Sequence, residues 1–358
     1  MDLYSFRNKT IVITSREQYN QEGNSHMHYL DELIKSNKVI FIEPAKSWPA
    51  SRKKLFVKNK NLTLFNYYNL IPYRFFPKFA GKINDIITCF LLSRKLKKES
   101  PIILWQFDPY SLEKLPFLKI FKKIYFPLDG YSRDYRDAVF AKRADLLVTV
   151  NSTFISHFYN KYSKNILLLP HGFSEVQKNP DLIKVNELIL KYGKFIILTG
   201  SLSSGINFKL LSKVAQSIFP NKLVILGKNL VAKEVTEALF SQENVIYLGL
   251  KSYKEIKNYI KAASCCIVSY NKGTGTWRNP IKITDYVSHF KPTINTIPLK
   301  DLGKLEGNIL YTTNDDEEFI DWVNLALDKK LPVNKSFIQE YIIKNSYENL
   351  LGIIIKKL

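Results

Sequence analysis

Short apolar runs alternate with amphipathic stretches along most of the chain. The strand candidates of the first half are "TIVIT", "VIFIEP", "LTLFNY", "PIILWQF", "IYFPL", "LLVTVN" and "ILLLPHG". After a polar connector, "SEVQKNPDLIK", the alternation restarts with "FIILTG", "KLVILGK", "NVIYLG", "CCIVSY" and "PTINT". Continuous apolar strands separated by helices are typical of parallel sheets that are covered on both faces.

Two such series predict an α/β protein with two doubly wound, Rossmann-like domains. We expect the N-terminal domain over residues 1–175 and the second domain over residues 190–335. The remaining stretch, 336–358, predicts a C-terminal helix that packs back across the domains. Two such domains would face each other across a central cleft at the carboxyl ends of their strands, where ligands bind in open α/β sheets.

Charge adds information about partners. The 358 residues include 53 Lys or Arg and 32 Asp or Glu, a formal net charge of +21. Residues 52–98 hold twelve of the basic residues against one acid, Asp85, and interleave them with Tyr, Phe, Leu and Ile. This basic aromatic stretch predicts contact with an anionic membrane surface. The alternatives are the solvated face of an amphipathic core helix, or single-stranded nucleic acid.

Other sequence features narrow these choices. No nucleic-acid module signature is present, so we expect no nucleic-acid partner. No apolar run is long enough to span a bilayer, and the start lacks a signal-peptide pattern. The adjacent Cys265 and Cys266 lie in an apolar run and predict buried thiols. Together these features predict a cytoplasmic protein that is peripherally associated with the inner face of the plasma membrane.

Several predicted strands of the second domain end in small or basic residues. Gly200, Ser201 and Gly205 follow "FIILT" and precede a helix, where free backbone N–H groups would donate hydrogen bonds to a phosphate. Lys228 follows the next strand, and Ser252 is the expected N-cap of the helix after the third. The alternative for each is an ordinary turn between a strand and a helix.

The segment "TWRNPIKITDY", residues 276–286, is the richest of these corners. Asn279 and Pro280 are helix-start residues, so we expect a helix to begin there. Lys282 and Asp285 then lie on one helix face. A lysine suits a phosphate and an aspartate suits sugar hydroxyls, whereas the alternative is a capped helix with one internal ion pair.

This motif and its surroundings resemble a known family. A strand, a loop, "NPxKxxDY", a short helix and "KPTINT" are similar to the donor-binding signature of GT-B glycosyltransferases. "ADLLVTVNSTFISHFYNKYSKNILLLPHGF", "FIILTGSLSSGINFKLL" and "NVIYLGLKSYKEIKNYIKAASCCIVSY" extend the resemblance over roughly residues 10–300. "EGNSHMHYLDELIKSNKVIFIEP" and "IYFPLDGYS" resemble the acceptor side of bacterial surface-polysaccharide enzymes.

Within that family the chain is similar to membrane-associated xanthan-type glucuronosyltransferases and to family-4-like enzymes. Trp277 stands where the retaining family-4 enzymes carry a glutamate, so the resemblance leans towards an inverting reaction. No D-x-D motif suited to a metal is present, and we expect metal-independent transfer. No cofactor is implied, because the nucleotide sugar is a substrate.

The resemblance implies a role for each matching residue. Lys282 would contact the donor diphosphate, and Asp285 would meet the ribose or nearby hydroxyls. Asn279 and Pro280 would fix the helix start, and Tyr270 would lie near the base. Gly200, Ser201 and Gly205 would let the backbone approach the leaving phosphate, and Arg278 would stabilise its developing charge. Lys228, from its position at a strand end, is a further expected donor contact.

The implied activity is transfer of a hexosyl or glucuronosyl group from a nucleotide diphosphate donor, expected to be a UDP-sugar. The expected acceptor is a lipid-linked glycan in the synthesis of capsule, exopolysaccharide or lipopolysaccharide. Inverting transfer needs a general base in the first domain. Asp129 and Asp108 follow predicted strand ends, and His28 or His26 begins a predicted helix. Turn and helix-start roles remain open for all four.

Two other functions fit parts of the pattern. A GT-B-shaped nucleotide-sugar epimerase or phosphorylase would share the fold and the nucleotide or phosphate site, but it has no need of the basic aromatic stretch. A non-enzymatic, basic polyanion-binding protein would explain the charge but not the "NPIKITDY" segment at a strand end.

Overall fold

The computed structural model describes residues 6–19, 24–44, 56–66, 71, 77–96, 101–110, 118–128, 135–162, 165–174, 179–273 and 279–358. The packing divides the chain into two compact units. Unit 1 comprises Met1–Leu169 together with Tyr347–Leu358, and unit 2 comprises Pro170–Ser346.

Unit 1 is built on an eight-stranded sheet in the order β3-β4-β2-β1-β5-β6-β7-β8. Every neighbouring pair is parallel except β3 and β4, which are antiparallel. The strands are β1 (Thr10–Thr14), β2 (Lys38–Ile42), β3 (Phe56–Asn59), β4 (Leu62–Phe65), β5 (Ile102–Gln106), β6 (Ile120–Tyr125), β7 (Leu146–Thr149) and β8 (Ile166–Leu168).

The helices of unit 1 cover both faces of this sheet. They are α1 (Ser25–Leu33), α2 (Pro77–Leu96), α3 (Tyr135–Arg143), α4 (Ser152–His157) and α12 (Tyr347–Lys357). One core cluster joins Trp105 of β5 to Tyr29 of α1 and Ile354 of α12. A second cluster, on the other side, joins Val12 of β1 to Leu92 of α2. Successive strand residues point to opposite faces, so strands buried on both faces read as continuous apolar runs.

Unit 2 is built on a six-stranded, wholly parallel sheet in the order β11-β10-β9-β12-β13-β14. Its strands are β9 (Phe195–Thr199), β10 (Lys222–Leu226), β11 (Val245–Tyr247), β12 (Cys265–Val268), β13 (Thr293–Asn295) and β14 (Leu310–Thr312). Its helices are α5 (Leu182–Tyr192), α6 (Phe208–Ser217), α7 (Lys233–Phe240), α8 (Tyr253–Ala262), α9 (Lys282–Ser288), α10 (Asp316–Leu327) and α11 (Lys335–Lys344).

Both sheets reverse their strand order once. In unit 1, β2 pairs with one side of β1 and the later strand β5 pairs with the other side. In unit 2, β10 and the later strand β12 pair with opposite sides of β9 in the same way. Ligands of open α/β sheets bind outside the carboxyl ends of the strands at such a switch point. The residues after β1, β5, β9 and β12 are therefore the first places to search for a site.

Most of the predicted elements are present, and the differences are local. The hydrophobic pattern did not predict β3 or β14. Both are short edge strands, β3 in the unit 1 sheet and β14 in the unit 2 sheet. The C-terminal stretch forms two helices, and the packing assigns α11 to unit 2 and α12 to unit 1. None of the helices in the described part of the chain has the length and apolarity needed to cross a membrane.

Candidate functional site

The switch point of unit 2 is shaped by two glycines at the ends of β9 and β10. Gly200 has a φ of +102° and Gly227 a φ of +149°, both in the region that side chains rarely adopt. A Cβ on Gly227 would lie 2.0 Å from the carbonyl oxygen of Gly200. The two corners can therefore pack backbone to backbone only if residue 227 is a glycine.

Lys282, the first residue of α9, lies against this corner. Its Nζ donates to the carbonyl oxygen of Thr199, the last residue of β9, at 3.0 Å, and lies 5.2 Å from the ring centroid of Tyr270. A Cβ on Gly200 would be 3.6 Å from the same Nζ. Among the described residues no carboxylate pairs with this ammonium group. The corner thus holds an ammonium group in a fixed position, and this group has further N–H donors for a ligand.

Tyr286 provides a second contact between α9 and β9. Its buried hydroxyl accepts from the backbone N–H of Thr199 at 3.0 Å and shares a hydrogen bond with the Thr199 hydroxyl at 2.8 Å. Burial raises the pKa of Tyr286 well above its usual range, so the phenol stays neutral. Because both backbone polar groups of Thr199 are bound by α9, the position of Lys282 is closely fixed.

The loop between β9 and α6 is held to the end of β12. The backbone N–H of Asn271 donates to the carbonyl of Gly205 at 2.8 Å, and its side-chain amide donates to the carbonyls of Ser204 and Ile206. Tyr270 forms a β-bridge with Ile206. Gly205, Tyr270 and Lys282 therefore belong to one corner of unit 2.

Asp285 is directed elsewhere. It accepts a hydrogen bond from the hydroxyl of Tyr253, the first residue of α8, at 2.6 Å. Lys282 and Asp285 lie one turn apart, as predicted, but the hydrogen bonds of the structure give them separate partners. Tyr253 and Tyr286 were not among the residues that the sequence analysis named, although Tyr286 completes the "NPxKxxDY" pattern.

The start of α9 differs from the prediction. The helix begins at Lys282, and its N-cap position is occupied by Ile281, with no side-chain cap. Asn279 lies before the helix, where its carbonyl accepts from Nε2 of the buried His171 at 2.9 Å. The carbonyl of Pro280 accepts from the N–H of Ile283 in the turn that leads into the helix. The histidine contact joins residues 108 positions apart and leaves no local signal in the sequence.

The remaining predicted donor residues are distributed as follows. Ser201 and Lys228 are exposed, and the carbonyl of Lys228 accepts from the N–H of Leu202 at 2.9 Å, which joins the β9 and β10 corners. Arg278 and Asp129 lie outside the described residues.

At the switch point of unit 1, Asp108 follows β5 and is only 1% exposed. Its Oδ1 accepts from the backbone N–H of Tyr110 at 2.7 Å, whereas Oδ2 makes no hydrogen bond with the described residues. Burial raises the pKa of Asp108 to about 6, although the Tyr110 N–H and the charges of Arg16 and Arg136 act in the opposite direction. A carboxylate with this pKa can exchange a proton near neutral pH.

His26 and His28 begin α1 in the same unit. The His26 ring lies 5.6 Å from that of Phe107, and its Nε2 lies 3.7 Å from a carboxylate oxygen of Glu17. The His28 ring packs on Tyr347 at 4.8 Å. Burial lowers the pKa of each histidine to about 4, so both rings are neutral at physiological pH.

As far as the structure describes the chain, no group of three or more His, Cys, Asp or Glu side chains is arranged to hold a metal ion. Cys89, Cys265 and Cys266 are buried thiols, as predicted for the adjacent pair. Residues 315–318 supply the N-cap and acidic first turn of α10, which is a local structural role.

Comparison with solved structures decides the fold. A trehalose-6-phosphate protein from E. coli bound with UDP-2-fluoro glucose aligns with a TM-score of 0.71 and 13% identity, over 97% of this chain and 98% of that chain. Sucrose-phosphate synthase from Thermosynechococcus elongatus aligns with a TM-score of 0.70 and 10% identity, over 98% of each chain. The fold is GT-B.

A third GT-B neighbour is the Anabaena protein HepE in complex with UDP and glucose. It aligns with a TM-score of 0.69 and 12% identity, over 98% of this chain and all of its own, at 100%. No protein-family model matches the sequence, and no curated protein matches it significantly. The GT-B fold predicted from the "NPxKxxDY" segment and its flanking strands is confirmed, whereas the predicted roles of individual residues stay predictions.

Proposed function

We propose that this GT-B protein is a glycosyltransferase that moves a sugar from a nucleotide diphosphate, a UDP-sugar, to a glycan. The main support for the proposal is the position of the Lys282 ammonium group. It donates to the Thr199 carbonyl and lies next to Gly200, which has no side chain. An anion can approach this group closely, because no side chain stands on Gly200. The neighbours bound to UDP or to a UDP-sugar support the choice of nucleotide.

The chemistry follows from where charge develops. In an inverting transfer an acceptor hydroxyl attacks the anomeric carbon, the bond from that carbon to the diphosphate oxygen breaks, and the departing UDP takes the electron pair. A pre-positioned ammonium group stabilises this developing negative charge without reorganising. Lys282 is the residue we assign to that task. The reaction in this proposal uses no metal and no cofactor.

The acceptor hydroxyl must also lose its proton. Of the candidates in the described part of unit 1, Asp108 has the most suitable chemistry, because its pKa of about 6 leaves it ionised yet basic at neutral pH. His26 and His28, each with a pKa lowered to about 4, are weaker bases. We therefore assign the general base to Asp108 and expect activity to rise with pH through about 6.

Nucleotide binding tests the proposal directly. UDP, GDP, ADP and UDP-sugars are added to purified protein, and the melting temperature is measured for the wild type and for Lys282→Ala. A ligand at 100 times its Kd stabilises the folded state by about 2.7 kcal/mol. We expect UDP or a UDP-sugar to raise the melting temperature, and Lys282→Ala to abolish the rise and reduce turnover about 100-fold or more.

The matched control is Lys335→Ala, which removes an exposed lysine at the start of α11 in the same unit. It should keep the full nucleotide response. The proposal fails if no nucleoside diphosphate stabilises the wild type, or if the two lysine variants respond alike. A strong shift of DNA mobility at physiological salt would instead favour the polyanion-binding alternative.

We further propose that the acceptor is lipid-linked, in capsule, exopolysaccharide or lipopolysaccharide synthesis, and that the protein binds the cytoplasmic face of the membrane through residues 52–98. On α2, Ile86, Phe90 and Leu91 are 42%, 48% and 47% exposed. Lys82 and Arg94, also exposed, lie one helical turn before and after this apolar group. Exposed apolar residues between basic ones suit an interfacial helix on anionic lipid.

Vesicle flotation tests this part. We expect recovery with vesicles that contain an anionic lipid, little recovery with neutral vesicles, and a large loss of recovery for Phe90→Glu. Leu190→Glu is the matched control, because Leu190 is 87% exposed on α5 in the other unit. Equal recovery on both lipids, or an equal effect of the two variants, would rule out docking through α2.

A further inference from the structure

The hydroxyl of Tyr247 makes two hydrogen bonds with the corner that follows β10. Tyr247 is the last residue of β11, an edge strand of the unit 2 sheet. Its hydroxyl donates to the carbonyl of Gly227 at 3.0 Å and accepts from the backbone N–H of Asn229 at 3.1 Å. These two residues flank Lys228 in the chain. One side chain therefore holds the β10 corner, residues 227–229, at both of its ends.

The tyrosine ring and the corner are each held by a further contact. The ring stacks on Phe240 of α7, with the ring centroids 4.6 Å apart and the planes inclined by 10°. The side chain of Asn229 accepts from the N–H of Val231 at 3.2 Å, which folds the chain tightly after the corner. The Tyr247 hydroxyl thus acts from a fixed ring on a turn of defined shape.

The β10 corner in turn holds the turn that follows β9. Leu202 pairs with Asn229 in a parallel β-bridge, and the N–H of Leu202 donates to the carbonyl of Lys228 at 2.9 Å. Leu202 lies two residues after Gly200, whose missing side chain leaves space beside the Nζ of Lys282. A continuous set of contacts therefore leads from the Tyr247 hydroxyl to the turn beside the ammonium group.

We propose that Tyr247 is a positioning residue of the nucleotide-diphosphate site, because its hydroxyl holds the β10 corner and so fixes the turn after β9 beside Lys282. The inference rests on the proposed function. Without the hydroxyl, the Gly227 carbonyl and the Asn229 N–H lose their shared partner, whereas the ring keeps its packing on α7. The β10 corner then moves more freely, and the turn after β9 is less well ordered for a diphosphate.

Amide hydrogen exchange without ligand tests the structural step. The N–H of Leu202 and the N–H of Leu230, which donates to the carbonyl of Leu202 at 2.9 Å, join the two corners. Exchange at these groups reports how often the corners separate. We expect Tyr247→Phe to speed their exchange about fivefold, the effect of losing about one net hydrogen bond.

Isothermal titration with UDP, well below the melting temperature, tests the functional step. We expect Tyr247→Phe to weaken UDP binding about fivefold, because binding must then restore the order that the hydroxyl supplies in the wild type. A residue that only stabilises the fold would lower the melting temperature and leave the Kd for UDP unchanged.

Tyr311→Phe is the matched control. Tyr311 lies in β14, the opposite edge strand of the same sheet. Its ring packs on Trp322 of α10 at 5.8 Å, and its hydroxyl donates to the backbone carbonyl of Pro332. This variant should also lower the melting temperature, but it should keep exchange at Leu202 and the Kd for UDP within about twofold of the wild type.

The outcomes distinguish this inference from the function on which it rests. If Tyr247→Phe leaves amide exchange at the two corners unchanged, or speeds it while UDP binds as tightly as to the wild type, the inference is wrong and the proposed function stands. An equal loss of UDP affinity in both phenylalanine variants would also overturn it. If the wild type binds no nucleoside diphosphate, both the proposed function and the inference are wrong.

Discussion

The side chains at the two switch points differ in charge, in burial and in how they are held. In unit 2, hydrogen bonds hold Lys282 at the end of β9, and no described carboxylate neutralises it. In unit 1, Asp108 is almost completely buried, one of its oxygens makes no hydrogen bond with the described residues, and burial has the largest effect on its pKa. The same sheet topology therefore supports a fixed charge in one unit and a titrating carboxyl group in the other.

The difference follows from the cost of burying charge. An ammonium group that donates to a carbonyl beside an aromatic ring is held in place, so the protein can use it as an electrostatic partner for an anion. A buried carboxylate lacks that solvation, so it binds a proton more readily. A fixed charge suits the leaving diphosphate and a titrating group suits a general base, which is the division of labour we propose.

The largest predicted effect concerns the backbone contact on which the unit 2 corner depends. Gly227→Ala would place a Cβ 2.0 Å from the Gly200 carbonyl oxygen at a φ of +149°. Steric overlap and backbone strain together should reduce the free energy of unfolding by about 4 kcal/mol or more. Urea unfolding measures the change.

Gly303→Ala provides the comparison for that substitution, because a Cβ there would meet no atom within 4 Å and the residue is exposed. It should change the free energy of unfolding by less than about 1 kcal/mol. Equal effects of the two alanines would show that the β9 and β10 corners do not need their close approach.

The next effect concerns Asp108 and depends on pH. Its pKa rises from 3.8 unfolded to about 6 folded, so its contribution to stability is complete below pH 3.8 and is lost as the pH rises through 6. Asp108→Asn should therefore match the wild type near pH 4 and exceed its free energy of unfolding by about 3 kcal/mol at pH 8. The same variant should lose transferase activity.

Unfolding free energies at pH 4, 5, 6, 7 and 8 measure that dependence. Asp145→Asn is the control, since Asp145 is an exposed aspartate of the same unit. A gain in stability for Asp108→Asn that stays constant across this range would contradict the assignment of a raised pKa to Asp108.

The smallest effect concerns the second fastening of α9. Tyr286→Phe removes the hydroxyl that accepts from the Thr199 N–H and leaves that buried donor unsatisfied. We expect the free energy of unfolding to fall by about 1–2 kcal/mol and nucleotide binding to weaken, since Lys282 loses its companion contact. Thermal unfolding with and without UDP measures both.

Tyr162→Phe in unit 1 is the corresponding control, because its hydroxyl makes no hydrogen bond with another described residue. If the two phenylalanine variants have the same melting temperature and bind UDP equally well, the Tyr286 contact does not help to fix Lys282 at the end of β9.

The sequence predicted the parts of this protein that depend on neighbours in the chain. Continuous apolar runs located twelve of the strands, because a strand buried on both faces must be apolar throughout. The Ser252 cap was also predicted, since its side chain binds an N–H group only three residues away. The resemblance of the "NPxKxxDY" segment to GT-B enzymes then identified the fold.

Contacts between distant residues were decided by the tertiary structure. The Lys282 bond to Thr199 spans 83 positions and the Tyr253 bond to Asp285 spans 32, and neither leaves a local pattern. The raised pKa of Asp108 has the same origin, because burial depends on every element packed around the end of β5. Chain neighbours determine where helices and strands form, whereas hydrogen-bond geometry and solvent exclusion at the sheet edge arise only when the strands assemble.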